Sequence, residues 1–220
     1  LDEDAAARRT PVAIVACAYA PAPAPIGPGE AQAAAVQTRG PDVRRLQRKL
    51  HVSTRVLESH SNAVYIPNMS SLAQQGYCLV IGVGFLMHDS IRTVAKKFPS
   101  TNFMIIDDAW AKGDPKNLEG TVFHEEQAGY LVGYLAGLVT PGASTISSVG
   151  GQKIPPVDHY IAGYMAGAKA ANPKIKTLNG YSQDFVAQDK CKNLALQQIG
   201  QGSKVVFQVA GGCGLGALDA

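Results

Sequence analysis

The sequence predicts an α/β protein built as two doubly wound, parallel-sheet lobes, and three observations carry that reading. Short apolar, β-branched runs alternate with segments of helical period, the mark of βαβ units and a parallel sheet. The alternation runs twice along the chain. Between the two runs lies a loop of Lys, Gly, Asp and Pro at residues 112–116. This organisation places a first lobe at 11–123, with 14–43 unlike the rest, and a second lobe at 124–220.

Each element follows from its own pattern. PVAIV (11–15) reads as the first strand and RRLQRKLHV (44–52) as the end of the first helix. STRVLES (53–59) is a β-branched run, and NAVYIPNMSSLAQQG (62–76) carries apolar residues at helical spacing up to a glycine stop. YCLVIGVG (77–84) is a buried strand, DSIRTVAKKF (89–98) a helix with Asp89 expected as its N-cap, and NFMIID (102–107) the next strand.

The second run opens with HEEQAGYLVGYLAGLV (124–139), a helix with Gly129, Gly133 and Gly137 at every fourth position. It is too short to span a bilayer and starts with charges, so its small face is expected to let a neighbouring backbone come close. Strand STISSVGG (144–151), helix PVDHYIAGYMAGAKAA (156–171) with proline at its start, strand IKTLNGY (175–181), helix KCKNLALQQIGQG (190–202) and strand KVVFQVA (204–210) follow.

Composition narrows the function. A net charge of +3 in 220 residues implies neither nucleic acid nor an anionic membrane surface as partner. No apolar run reaches the ~18 residues of a membrane-spanning helix, so any membrane attachment is expected through an anchor outside this chain. Cys17, Cys78, Cys191 and Cys213 lack metal-ligand spacing, and Cys17 and Cys78 read as buried free thiols. Cys191 and Cys213 lie beside strand-to-helix loops of consecutive βα units; they are either free thiols or, in an oxidising compartment, a disulfide.

A doubly wound sheet binds ligands beyond the carboxyl ends of its strands. The residues there are Phe85, Leu86 and Met87; Asp107 and Asp108; Gly150 and Gly151; Asp184 and Phe185; and Gly211, Gly212 and Gly214. Aromatic faces, carboxylates and bare backbone suit a flat polar ligand such as a nucleoside: a ring stacks on Phe and a carboxylate accepts from ribose hydroxyls. The ligand-binding candidates are Phe85, Met87, Asp107, Phe185, Gly211 and Gly212.

Enzyme chemistry finds little support. GVGFLM lacks the third glycine of a dinucleotide fingerprint, GGCGLG is misspaced, and neither a GxxxxGK[ST] loop nor a GxSxG elbow occurs. HEEQ has no second histidine four residues after His124, so His124, Glu125 and Glu126 read as a solvated helix start. His51, His60, His88, His124 and His159 are scattered singly and read as surface or satisfied residues. Neither cofactor nor metal is expected, and the chain is not expected to be an enzyme.

Four long stretches, in order, carry a resemblance: LESHSNAVYIPNMSSLAQQGYCLVIGVGFLM, FHEEQAGYLVGYLAG, VGGQKIPPVDHYIAGYMAGAKAANP and VVFQVAGGCGLGALDA. Together, over about residues 50–220, they resemble the basic membrane protein family, substrate-binding lipoproteins of ABC importers that include nucleoside-binding members. The resemblance implies a type 1 periplasmic-binding-protein fold, two lobes with a ligand cleft. It implies Phe85 and Asp107 on the first lobe's side, and Phe185 with the Gly211–Gly212 backbone on the second.

Two departures from the family stand out. The chain stops at Asp219–Ala220, where the family continues through a further strand and ligand-binding Asp and Lys positions, so the fold is expected to be C-terminally truncated. Between the first strand and residue 44, the family's D-x-G-G-x-x-D-x-S-F-N loop and helix are replaced by Ala, Pro and Gly. Three origins compete for 14–43: a lipoprotein box at IVAC, whose apolar run is too short; a disordered Pro/Ala linker; and an out-of-frame stretch.

The resemblance implies an extracytoplasmic solute-binding component of an ABC importer for nucleosides or similar polar solutes. It would be lipid-anchored at the outer face of the plasma membrane and partnered by a permease and an ATPase. The alternatives are a ligand-sensing transcriptional regulator of the same fold and a non-binding, pseudogene-like fragment.

Overall fold

The computed structural model describes residues 12–18, 54–59 and 61–220. The divergent segment beyond Ala18, the first-helix end expected at 44–52, and His51 and His60 lie outside the described residues. Two compact units emerge, Pro11–Val122 and one containing Phe123–Ala220.

The first unit is a five-stranded sheet of order β2-β1-β3-β4-β5. Its strands are β1 (Val12–Ala18), β2 (Thr54–Ser59), β3 (Tyr77–Val83), β4 (Asn102–Ile106) and β5 (Leu118–Thr121). β3, β4 and β5 are parallel, but β1 runs antiparallel to both β2 and β3, so this sheet is mixed where a wholly parallel one was expected. A parallel β1–β2 pair needs a crossover, usually helical, whereas an antiparallel pair does not.

Helices α1 (Tyr65–Gln74) and α2 (His88–Lys97) cover one face of this sheet. Tyr65, Met69, Leu72, Ile91, Val94 and Ala95 pack there on Val80, Phe103 and Ile105, all buried. The alternate residues Leu79, Ile81, Val83, Met104 and Ile106 form a separate cluster, as the period of two requires. Asp89 lies inside the first turn of α2; the N-cap is Met87, which corrects the expected Asp89 cap. Asp89 at one end and Lys96 and Lys97 at the other still complement the helix dipole. Asn117 receives the far end, donating to the carbonyls of Ala95, Phe98 and Thr101.

The second unit is a parallel sheet of order β7-β6-β8, from β6 (Thr145–Gly150), β7 (Lys176–Tyr181) and β8 (Ser203–Val209). Its helices are α3 (Glu125–Val139), α4 (Pro155–Ala171), α5 (Gln188–Gly200) and the short α6 (Gly214–Leu218). Prolines open α4, where an amide would have had no helical partner.

The small face of α3 has the close neighbour expected of it. A Cβ on Gly129 would strike the backbone of Tyr160, on Gly133 that of Tyr164, and on Gly137 that of Ala168; Gly163 and Gly167 of α4 face Glu126 and Tyr130 in the same way. The paired residues rise together along both helices, so α3 and α4 run parallel with their backbones interlocked. α4 then joins the sheet through Tyr164 and Ala168, packed with Ile146 and Ile175. No helix of the described residues is long and apolar enough to cross a membrane.

Cys191 and Cys213 are bonded to each other, Cα atoms 5.6 Å apart, and fully buried beside Val149, Ala195 and Ala210. The bond ties α5 to the turn that starts α6. Cys78 is also disulfide-bonded, which corrects its reading as a free thiol. The reversal of β1 sets Cys17 opposite Leu79 in the register, next to Cys78, a neighbour that a parallel β1 pairing would not have fixed.

Candidate functional site

In the first unit the candidate residues sit where β3 and β4 end. The Gly84 amide donates to the Ile106 carbonyl at 3.1 Å, so the two strands leave the sheet together and Phe85 and Asp107 follow one residue later. Gly84 takes φ +110°, which a side chain rarely adopts. Phe85 is half-buried and its ring stacks on His88, centroids 5.3 Å apart at 28°.

Asp107 is also half-buried and takes φ +70°, one of two described non-glycine residues in the left-handed region. Such a backbone persists only when its surroundings determine it, and it concentrates at ligand sites. The Asp107 amide donates to the Thr121 carbonyl at 2.8 Å. The loop beyond lies against Gly120, where a Cβ would come within 2.5 Å of backbone atoms of Asp108 and Trp110.

Met87 does not belong to this site. The 3-10 turn Phe85–Met87 carries the Met87 side chain into the core with 0% exposure, so it supports the turn instead of meeting a ligand. Asp108 is likewise turned inward. Its Oδ2 lies 2.7 Å from His88 Nδ1 and accepts from Arg92 at 2.6 Å.

The second unit gathers its candidates as closely. A Cβ on Gly151, at the end of β6, would collide with the Phe185 ring, and Cβ atoms on Gly211 and Gly212 would approach the Phe185 carbonyl at 3.4 and 3.3 Å. The Cys213 amide donates to that same carbonyl at 3.0 Å. Gly211, at φ +55°, and Gly212 leave their backbone exposed, and Phe185 is half-buried.

Asp184 is spent on the turn into α5. It accepts from the amides of Val186 and Ala187 and from Lys190. Lys190 and those two amides hold its carboxyl well below the usual carboxylate range.

Sequence reasoning missed the polar network behind Phe85 and Asp107. Arg92 reaches Asp114 through Nε and Nη2, at 2.7 and 2.8 Å, and Asp108 through Nη1. The Arg92 hydrogen bond is the main reason that Asp114 ionises below its ordinary range. The one available signal was the four-residue spacing of His88 and Arg92, which puts both on one helix face.

The start of α3 also differs from a solvated helix start. Glu125 is buried at 5% exposure with Oε2 3.3 Å from His159 Nδ1, because α4 lies alongside. Among the described residues Glu125, Glu126 and His159 could hold a cation, their donor atoms lying within 4.8 Å of one another. The positive end of the α3 dipole, where both carboxylates sit, works against a cation there.

Comparison with known proteins supplies the family. Residues 40–220 match the family described as ABC transporter substrate-binding protein PnrA-like. The chain is 35% identical over 162 residues to the ABC transporter nucleoside-binding protein BmpA of Lactococcus lactis, covering 74% of this chain and 45% of that protein. It is 32% identical over 183 residues to an uncharacterized lipoprotein of Pyrococcus horikoshii, covering 80% and 45%. A solute-binding protein of an ABC transporter system from Aeropyrum pernix superposes with a TM-score of 0.69 at 25% identity, covering 80% of this chain and 51% of that one. The chain thus spans about half the length of the relatives it matches, and its fold is that of the type 1 periplasmic-binding proteins.

Proposed function

The chain belongs to the PnrA-like, or basic membrane protein, family of ABC transporter substrate-binding proteins, and from that membership and the strand-end geometry we propose that it recognises nucleosides. The observation that carries the proposal is the pairing of Phe85 with Asp107. An aromatic face and a carboxylate leave adjacent strands at one level, and the carboxylate's residue is held at a costly backbone angle.

The chemistry of each group follows from its position. The half-buried Phe85 ring stacks a base, an interaction that tolerates any base because every base has a π-face. Asp107 accepts hydrogen bonds from vicinal ribose hydroxyls, charge-assisted and stronger than neutral ones. In the second unit Phe185 presents an aromatic face of its own, and the bare backbone at Gly211 and Gly212 lets polar ligand atoms approach without a Cβ in the way.

In the same reading the protein works outside the cytoplasm, held to the outer face of the plasma membrane by a lipid anchor as its lipoprotein relatives are named, and delivers its solute to a permease driven by an ATPase. Calorimetric titration of the chain with a panel of nucleosides, free bases and ribose tests the ligand class. Nucleosides should bind more tightly than either half, and Asp107→Asn should abolish the advantage of nucleoside over free base. Equal affinity for base and nucleoside would refute the role given to Asp107.

A further inference from the structure

Behind the two candidate residues of the first unit lies a set of buried charges that ligand contact alone does not require. Arg92, Asp108 and Asp114 have side chains only 12%, 7% and 9% exposed. Burying three charges is costly unless each is paired and hydrogen-bonded, and here every arm of the guanidinium is engaged. Nε and Nη2 form a fork on Asp114, Nη1 reaches Asp108 and the His88 carbonyl, and Nη2 reaches the Ala109 carbonyl.

The fork has two geometrical consequences. Asp108, Ala109 and Asp114 all belong to the loop that follows β4, so one guanidinium anchored on α2 clamps both ends of that loop; the Ala111 amide donating to Asp114 at 2.9 Å closes it further. Asp107 precedes the first clamped residue and is bound on its other side through Thr121. Asp108 Oδ2 and Arg92 Nη1 both lie against His88 Nδ1, at 2.7 and 2.9 Å, and the His88 ring stacks on Phe85. A continuous path therefore runs from Arg92 to both groups assigned to the ligand.

We propose that Arg92 is a positioning residue that, through Asp108 and Asp114, holds Asp107 in its left-handed backbone conformation and, through His88, sets the Phe85 ring. This rests on the nucleoside reading for its purpose, but not for the conformational claim itself. A lysine at position 92 cannot substitute: its single ammonium has no planar fork to span Asp114 and Asp108 together. When the binding-competent backbone is only a fraction of the population, apparent affinity falls by that fraction.

The test uses the whole chain, with Arg92→Lys and Asp114→Asn beside the parent. Asp114→Asn leaves the Arg92–Asp108 pair in place and so guards against a variant that fails to fold. Backbone NMR of the free protein reads Asp107 through its Cα and Cβ shifts and its amide–Hα coupling, with Ile91 and Val94 as core references; calorimetry then reads nucleoside affinity. The expected result is movement of Asp107 away from left-handed values in both variants, with unchanged core shifts and affinity about tenfold weaker. Asp107 shifts identical to the parent's in both variants would overturn the proposal. If Asp107 moves as expected while the parent binds no nucleoside, the positioning role stands and the nucleoside reading falls.

Discussion

Replacing Gly133 by alanine should damage the second unit far more than an added methyl suggests. In an exposed helix this change gains up to about 1 kcal/mol of helix propensity. Here the new Cβ would lie 2.6 Å from the Tyr164 carbonyl carbon and 2.8 Å from its Cα, where ordinary contact begins at 3.4 Å. The obstacles are backbone atoms of α4, the Tyr164 carbonyl oxygen nearer still than its carbon, so no side-chain rotation relieves them, and the helices must separate by more than the 0.8 Å that the carbon contact alone requires. A gap of that size forfeits a quarter to a half of the dispersion attraction of the atoms facing it. Overpacking of this kind costs about 1–3 kcal/mol.

We expect Gly133→Ala to destabilise by about 2 kcal/mol net, the upper part of that range less the propensity gain. For a chain of this size the melting midpoint should fall by about 4–8 °C. Gly200→Ala is the control: it ends α5, has nothing within 4 Å of its added Cβ, and is not at positive φ. It should be neutral or stabilising by about 0.5–1 kcal/mol. Urea and thermal unfolding of the three proteins measure the contrast. Equal stability of Gly133→Ala and Gly200→Ala would refute the claim that glycine is there for backbone approach.

Three further outcomes follow from the described geometry. Phe85→Ala should weaken nucleoside binding by about 1–3 kcal/mol, one to two orders of magnitude in Kd by calorimetry, with free ribose unaffected. Asp107→Gly, which keeps φ +70° accessible while deleting the carboxylate, should remove nucleoside binding by calorimetry; undiminished nucleoside affinity would contradict the role given to that carboxylate. Stability should fall as pH drops below the usual carboxylate range: Asp114 and Asp184 ionise lower in the folded chain than when unfolded, so their contribution is complete above the unfolded value near ~4 and is lost as pH falls through the folded ones. Melting against pH checks this, and a midpoint that rises on acidification contradicts it.

How far the sequence could be read depended on whether the deciding interactions were local. Periodicity located α1 to α5, because each buries one stripe or one small face that repeats every three or four residues. The alternation of strand and helix also led to Phe85, Asp107, Phe185 and Gly211–Gly212, since the topology alone puts strand-end residues on one edge of a parallel sheet. β5 escaped notice: Leu118–Thr121 is four residues long with a glycine, and only Leu118 is buried. The reversed direction of β1 was invisible for a different reason, as pairing direction is settled by partners 37 or more residues away. Met87 misled because a 3-10 turn sends residues two apart to different sides, and Arg92 was overlooked because its carboxylates lie 16 and 22 residues downstream.

The most direct test of nucleoside recognition at the strand ends is an amide-resolved NMR titration of the whole chain with a nucleoside. Recognition there should give saturable shifts at Phe85 and Asp107 in the first unit and at Phe185, Gly211 and Gly212 in the second, with Met87 responding less than Phe85. Saturable shifts confined to other parts of either unit, or no shifts with any nucleoside, would contradict it.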